Sequence, residues 1–304
     1  MKIKNLLSVI FAVAMSASTY AQSNLLNSKT PDEIGKKSAA QLISDNDKPL
    51  PYGYVHDRDV LMGKTIWEFV DLDERINFPL YYPIDTAFVG KERRSLFDVL
   101  VKNIKSGKIT EVYTDDYFNT KKTFKDMESS FTYIDTTDIG KDEINNYYDD
   151  YKSGAKVLDP QFINKKELDA SYISGYKIKG YWYFDKRQGE LKYRLLALCP
   201  VTPEARDAGN ENADVIDLFW VYFPTVRDIL HESKAFNDKN SAMPITFDHL
   251  LNSRRFSGDI YKEENVYGDR EIQQYMKDNS QNQLLESERV KEKIRSFESD
   301  MWNY

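Results

Sequence analysis

A period-two run in the middle of the chain limits the fold more than any other feature. From Tyr176 the sequence reads YKIKGYWYFD, so Tyr176, Ile178, Trp182 and Phe184 share one face while Lys177, Lys179, Tyr181 and Tyr183 alternate with them. Residues 185–190 (DKRQGE) break the run with a glycine-containing turn, after which Leu191, Tyr193, Leu195 and Ala197 alternate with Lys192 and Arg194. Side chains two apart lie on one face only in an extended strand, so the pattern predicts a half-buried antiparallel hairpin. A third apolar run, residues 215–223, is expected to join the same sheet and end at Pro224, with residues 202–214 as a loop.

Helical periodicity appears on either side. In SLFDVLVKNIKSG, Leu96, Phe97, Leu100 and Ile104 fall on one helical face, Ser95 with Asp98 offers a capping-box-like start, and Gly107 offers a stop. Near the C-terminus Val290, Ile294, Phe297 and Met301 recur at spacings of four, three and four. They predict an apolar seam on a highly charged helix over roughly 284–302, a seam that must bury itself against its own domain or a neighbour. Residues 95–109 also resemble residues 245–260: Phe97 matches Phe247, Asp98 matches Asp248, Leu100 matches Leu250, and Gly107 and Ile109 match Gly258 and Ile260 after one insertion. The expected fold class is α+β, with antiparallel sheet units, flanking helices, an internal duplication and a long C-terminal amphipathic helix. The expected organisation is a signal peptide over 1–21, a flexible arm over 22–55, α+β units over 56–158 and 159–268, and a helical segment over 269–304.

The leader rests on the order of its regions: Lys2 and Lys4, then an apolar stretch from Leu6 to Met15, then Thr19-Tyr20-Ala21 as the cleavage site. No cysteine follows that site to carry a lipid, and no later apolar run approaches the ~20 residues of a membrane-spanning helix. The expected product is an exported, soluble protein that must borrow any membrane tether. With Lys+Arg 42 against Asp+Glu 49, a formal charge of −7 leaves no field to attract nucleic acid.

Chemistry-bearing patterns are scarce. The three histidines, His56, His231 and His249, sit in no zinc-ligand spacing. The single cysteine, Cys199, stands at the end of an apolar strand and reads as a buried structural thiol. No Gly-x-Ser-x-Gly elbow, Gly-x-Gly-x-x-Gly turn or phosphate loop occurs, so no catalytic, cofactor-binding or metal-ligating residue is assigned and no cofactor is expected. The acidic stretches Asp115-Asp116, Asp149-Asp150 and Glu263-Glu264 read as solvated surface, as do the loop residues Asp207, Asn210, Asn212 and Asp214 and the stretch Asp45-Asn46-Asp47. The informative excess is aromatic: 21 Tyr, 16 Phe and 4 Trp. Tyr and Trp join a large apolar body to a polar tip, which suits interfaces. Interface candidates are Tyr81, Tyr82, Trp182 and Tyr222 from the aromatic clusters, with Val290, Ile294, Phe297 and Met301 from the seam.

The run from Val70 to Pro83 (VDLDERINFPLYYP) resembles a signature of the GldN/PorN family of gliding-motility proteins. The stretches SLFDVLVKNIKSGKITEVYTDD, YWYFDKRQGEL, LFWVYFPTVRDIL and LLESERVKEKIRSFESDMW resemble that family as well, so the likeness extends from about Asp57 to Trp302. It implies a non-enzymatic subunit of the periplasmic ring of the type IX secretion and gliding-motility machinery, held at the outer membrane through a lipoprotein. The implied partners are that ring lipoprotein (GldK/PorK), the periplasmic part of the inner-membrane motor subunit (GldM/PorM), and further copies of the chain itself. The competing expectation, from carboxylates and exposed rings, is a periplasmic glycan-binding protein or carboxylate-dependent hydrolase.

Overall fold

The computed structural model describes residue 30 and residues 48–90, 93–154, 156–210, 213–237, 245–277 and 279–302. The expected leader, most of the arm, the Asp45–Asp47 stretch and Asn212 lie outside the described residues. Strand β1 (Val60–Asp71) leads through a short helix α1 (Phe78–Tyr81) to α2 (Leu96–Lys105). A ribbon of β2 (Val112–Tyr113) and β3 (Lys121–Lys122) is followed by α3 (Phe124–Phe131). A separate hairpin, β4 (Thr132–Thr136) and β5 (Ile163–Glu167), carries α4 (Asp138–Asn146) and α5 (Tyr148–Lys152) between its strands. Next come β6 (Gly175–Asp185), β7 (Glu190–Pro203), β8 (Val215–Asp217), β9 (Val221–Tyr222) and α6 (Phe223–Glu232). The chain closes with a ribbon of β10 (Lys234–Ala235) and β11 (Ile245–Thr246), then α7 (Phe247–Asn252), β12 (Asp259–Glu263), α8 (Ile272–Tyr275) and α9 (Ser280–Trp302).

The fold is α+β. The hairpin expected from the alternation is β6–β7, paired from Gly175↔Val201 to Asp185↔Glu190, and it lies within a six-stranded antiparallel sheet of order β12-β1-β6-β7-β8, with β9 also on β7. Gly189 turns the hairpin at φ +65°, a conformation a side chain would strain. Gly180 lets the Tyr193 ring lie across the strand, since a Cβ there would sit 2.2 Å from it. Strand β1 inserts between β12 and β6, so the stretches 56–158 and 159–268 build one sheet and share one core.

Two sequence expectations need correction. The run 215–223 is not one strand: β8 and β9 pair separately with β7, and Phe223 and Pro224 open α6. A proline in the first helical turn has no hydrogen bond to lose, so Pro224 begins a helix there. The lysine-bearing face of the hairpin is not solvated either. Lys179 is buried because the loop after β2 folds over it, and Tyr183 is buried beside Tyr181 and residues 50–55.

Register places Ile66, Glu68 and Val70 of β1 on one face together with Ile178 and Tyr176 of β6. Helix α2 covers that face with Leu96, Phe97, Val99, Leu100 and Ile104, and α6 and α7 add Phe223, Val226, Leu230, Phe247 and Leu251. The expected cap is present, the Asp98 N–H donating to Ser95 Oγ (3.2 Å), and α7 is capped in the same way, the His249 N–H donating to Thr246 Oγ1 (3.1 Å). The likeness between 95–109 and 245–260 thus corresponds to two capped helices on one core. It stops at their ends, where Gly107 takes φ +73° but Arg254, not Gly258, takes φ +50°. Helix α9 lies along β12 and closes a second cluster of Ile66, Ile260, Ile272, Val290 and Ile294, with Trp182 and Leu191 packed against it. Its seam is therefore buried within its own chain.

Candidate functional site

Among the described residues no group of three His, Cys, Asp or Glu is placed to hold a metal. His56 accepts the Arg58 N–H in a turn and His249 is exposed. Cys199 is fully buried and burial pushes its thiol well above the ordinary value. A thiol held protonated and shielded is unreactive. A thiol reagent should label nothing in the native chain and one group in denaturant, and rapid native labelling would contradict this placement.

The two acids expected as solvated surface after β2 do structural work. Asp115 Oδ1 accepts the Tyr117 and Asn119 N–H groups and shapes the loop. Asp116 faces inward, where its Oδ2 pairs with Lys262 Nζ at 3.1 Å and its carbonyl accepts from Lys179 Nζ at 2.9 Å. Both ammonium groups lie over the rings of Trp67 (4.9 and 4.2 Å) and Tyr117 (4.4 and 4.8 Å). Tyr117 OH donates to Asp269 Oδ2 at 2.8 Å. Burial, with the neighbouring Lys262 adding to it, draws the Lys179 ammonium below its ordinary pKa. The cluster pins the 115–119 loop to the sheet. Its lysines belong to the alternation already visible in sequence, but nothing in the sequence indicated that the face was covered.

A second constellation lies along the outer edge of β7. Among the described residues β8 and β9 pair only with residues 197–198 and 201–203, so the edge from Glu190 to Leu195 carries no strand. Residues 50–55, the end of the expected arm, run past this edge as a strap held by arginines. Arg227 Nη2 donates to Leu50 O (2.7 Å), Arg194 Nη2 to Gly53 O (3.1 Å) and Arg187 Nη2 to Tyr54 O (3.1 Å). The Tyr52 ring lies 4.6 Å from the Arg194 guanidinium and 4.2 Å from that of Arg227, and its hydroxyl donates to Asn252 Oδ1 at 2.7 Å. Arg227 in turn forks onto Asp248 through Nε (2.7 Å) and Nη2 (3.2 Å). Beside the strap a cleft of about 330 Å³ remains, bordered by Tyr183, Arg187, Lys192 and Arg194. Arginine fans of this kind hold an extended backbone and tolerate acidic neighbours. Tyr52→Ala should speed limited proteolysis ahead of residue 56 while costing about 2–3 kcal/mol of global stability, the sum of two partly exposed cation–π contacts and one hydrogen bond. Unchanged cleavage would show that other contacts hold the strap.

A profile of the family described as "Gliding motility associated protein GldN" matches residues 55–303. The chain belongs to the GldN family. A search of curated proteins returned no match. GldN is a family of gliding-motility components, and the strap, the β7 edge and α9 all lie within or at the border of the matched region.

The predicted interface residues of this GldN-family chain fall into two groups. Val290 and Ile294 are buried beneath α9, Trp182 packs against the same cluster, and Phe297 meets Phe184 at 5.8 Å. Met301 is partly buried on the last turn. Tyr222 lies partly buried against Phe118 at 5.3 Å, and Tyr81 packs on the main core with its hydroxyl donating to Ser171 O (3.3 Å). Tyr82 is the member of the set whose ring is exposed, next to exposed Phe78 at 5.3 Å. Sequence reasoning missed Arg187, Arg194 and Arg227. The available signal was Arg227 in the apolar stretch VRDIL, where a buried guanidinium requires a partner.

The hairpin β4–β5 carries α4 and α5 away from the main sheet's strand order. Gly140 is the one buried residue of α4 and no residue of α5 is buried. Ile134, Ile139, Tyr147, Tyr148 and Val157 are all exposed.

Proposed function

We propose that this chain is a structural subunit of the periplasmic ring of the type IX secretion and gliding-motility machinery. It assembles with itself and with a ring lipoprotein of the GldK/PorK type beneath the outer membrane, and it contacts the periplasmic part of a GldM/PorM-type motor subunit. The observation that carries this reading is the family match over 55–303, which makes the chain a gliding-motility component. Two features of the chain support it. The β4–β5 unit leaves five large apolar side chains uncovered, and among the described residues no helix is long and apolar enough to cross a membrane. A subunit of this kind reaches a membrane through a partner.

The alternative, a glycan-binding protein or carboxylate-dependent hydrolase, requires free acids beside exposed rings. In the cleft beneath α9, Glu68 is forked to Arg254 (both contacts 2.7 Å) and Glu298 accepts the Leu191 N–H. In the β7-edge cleft Asp185 sits among Arg187 and Lys192. These carboxylates are already engaged by groups of their own chain and do not stand free beside an exposed ring.

Crosslinking with mass spectrometry on intact envelopes tests the proposal. Links from this chain to a lipoprotein and to the motor subunit, together with links between its own copies, are expected. A chain released whole by gentle osmotic shock and linked to none of them would overturn it.

A further inference from the structure

We infer that successive copies meet head to tail, with the exposed tip of the β4–β5 unit of one copy seated in the arginine-lined cleft along the β7 edge of the next. The inference rests on the ring reading above and adds to it the surfaces and their pairing.

A ring built from one kind of subunit needs two different, mutually complementary faces. The tip is one of them. Tyr147 and Tyr148 are exposed there and are followed at once by Asp149 and Asp150, whose side chains have no ion-pair partner among the described residues. Lys156 is paired with Glu143 (2.6 Å) and lies over the Tyr147 ring (3.8 Å), which leaves Asp149 and Asp150 against Lys152, so the outward charge of the tip is acidic. The cleft is the other face. Arg227 is committed to Asp248, and Arg187 to Asp59 at 3.2 Å. Lys192 meets its acids only at 3.8 Å, and Arg194 has no carboxylate within 4 Å among the described residues. The cleft is therefore cationic within an acidic chain, it is flanked by the Tyr183 and Tyr54 rings, and it opens onto strand edge with no partner strand. Acidic tyrosines fit such a site through ion pairing, ring stacking on guanidinium and main-chain bonding at the edge.

The placement suits a closed ring. The cleft lies at the Asp185 end of β6, and β5 feeds the Gly175 end of the same strand through residues 168–174. Eleven residues of strand separate those ends by roughly 36 Å, at about 3.3 Å per residue. Among the described residues no hydrogen bond or ion pair joins residues 147–150 to the cleft, so the contact is assigned between copies.

The test uses the mature chain co-expressed with its ring lipoprotein, with particle mass as the readout. Asp149→Lys with Asp150→Lys should lower the fraction in high-mass particles at least tenfold, with at most a few degrees' fall in melting temperature, because both side chains are exposed and the first turn of α5 loses only its favourable acids. Arg194→Glu with Lys192→Glu should lower assembly likewise, with some loss of stability because Arg194 also holds the strap, and the four changes together should recover assembly. As a second readout, Tyr148→Cys with Gln188→Cys should give a disulfide-linked ladder of oligomers on mild oxidation, since buried Cys199 does not compete. Unchanged particles from the Asp149/Asp150 variant, or a ladder-free double-cysteine chain in intact particles, overturns this contact and leaves the ring reading in place. A wild-type chain that forms no high-mass particle overturns the ring reading itself.

Discussion

A chain cut before residue 280 is expected not to hold its native fold. Helix α9 covers Ile66 of β1, Ile260 of β12 and Ile272 of α8, and contributes Val290 and Ile294 to the same cluster; each of these five is at most 5% exposed. A fully buried aliphatic side chain is worth about 1.5–3 kcal/mol relative to exposure. Returning that cluster to water removes on the order of 10 kcal/mol, comparable to the whole stability of a typical domain at about 5–15 kcal/mol. Ser287 adds a specific bond, its Oγ accepting the Ile260 N–H at 2.8 Å, so truncation also strips a partner from the sheet-edge backbone. The expected product expresses as aggregate or gives no cooperative melt. A truncated chain that melts like the intact one would show that the seam serves a neighbour.

Glu68→Ala is expected to be the most damaging single substitution in the sheet. Glu68 is 1% exposed and accepts two parallel bonds from Arg254, whose guanidinium lies 4.3 Å from the Tyr193 ring and 5.1 Å from that of Trp182. Arg254 also holds a left-handed backbone conformation, at φ +50°. Removing one member of such a pair leaves a charge in a poorly solvated site, a loss of about 3–5 kcal/mol. For a chain of this size that corresponds to roughly 10 °C in melting temperature. The double change Glu68→Met with Arg254→Met should restore most of the loss, because the charge disappears with its partner. A single variant within a degree or two of the parent would mean that water already reaches Arg254.

The elements most legible in the sequence are those set by local rules. The β6–β7 hairpin announces itself through alternation, α2 through the Ser95 cap and its four apolar positions, and α9 through its seam. What stayed hidden depends on which distant segment covers a surface. Lys179 alternates like a solvent-facing residue, yet the loop around Asp116 and Tyr117 folds over it, and that contact spans 63 residues of chain. The destination of the seam was equally undetermined, because Val290 and Ile294 require an apolar partner without specifying whose. The arginine cleft was invisible for the same reason: Arg187 and Arg194 look like ordinary strand-end charges until residues 50–55 pass beside them. Pro224 was misleading in a different way, since a proline after an apolar run can end a strand or begin a helix, and here it begins α6.

Electron microscopy of the mature chain co-expressed with its ring lipoprotein and extracted in mild detergent tests most directly whether this molecule works by covering its neighbours' surfaces. Closed particles of uniform diameter containing both proteins are the predicted result. Small, heterogeneous species, with this chain eluting alone, would contradict it.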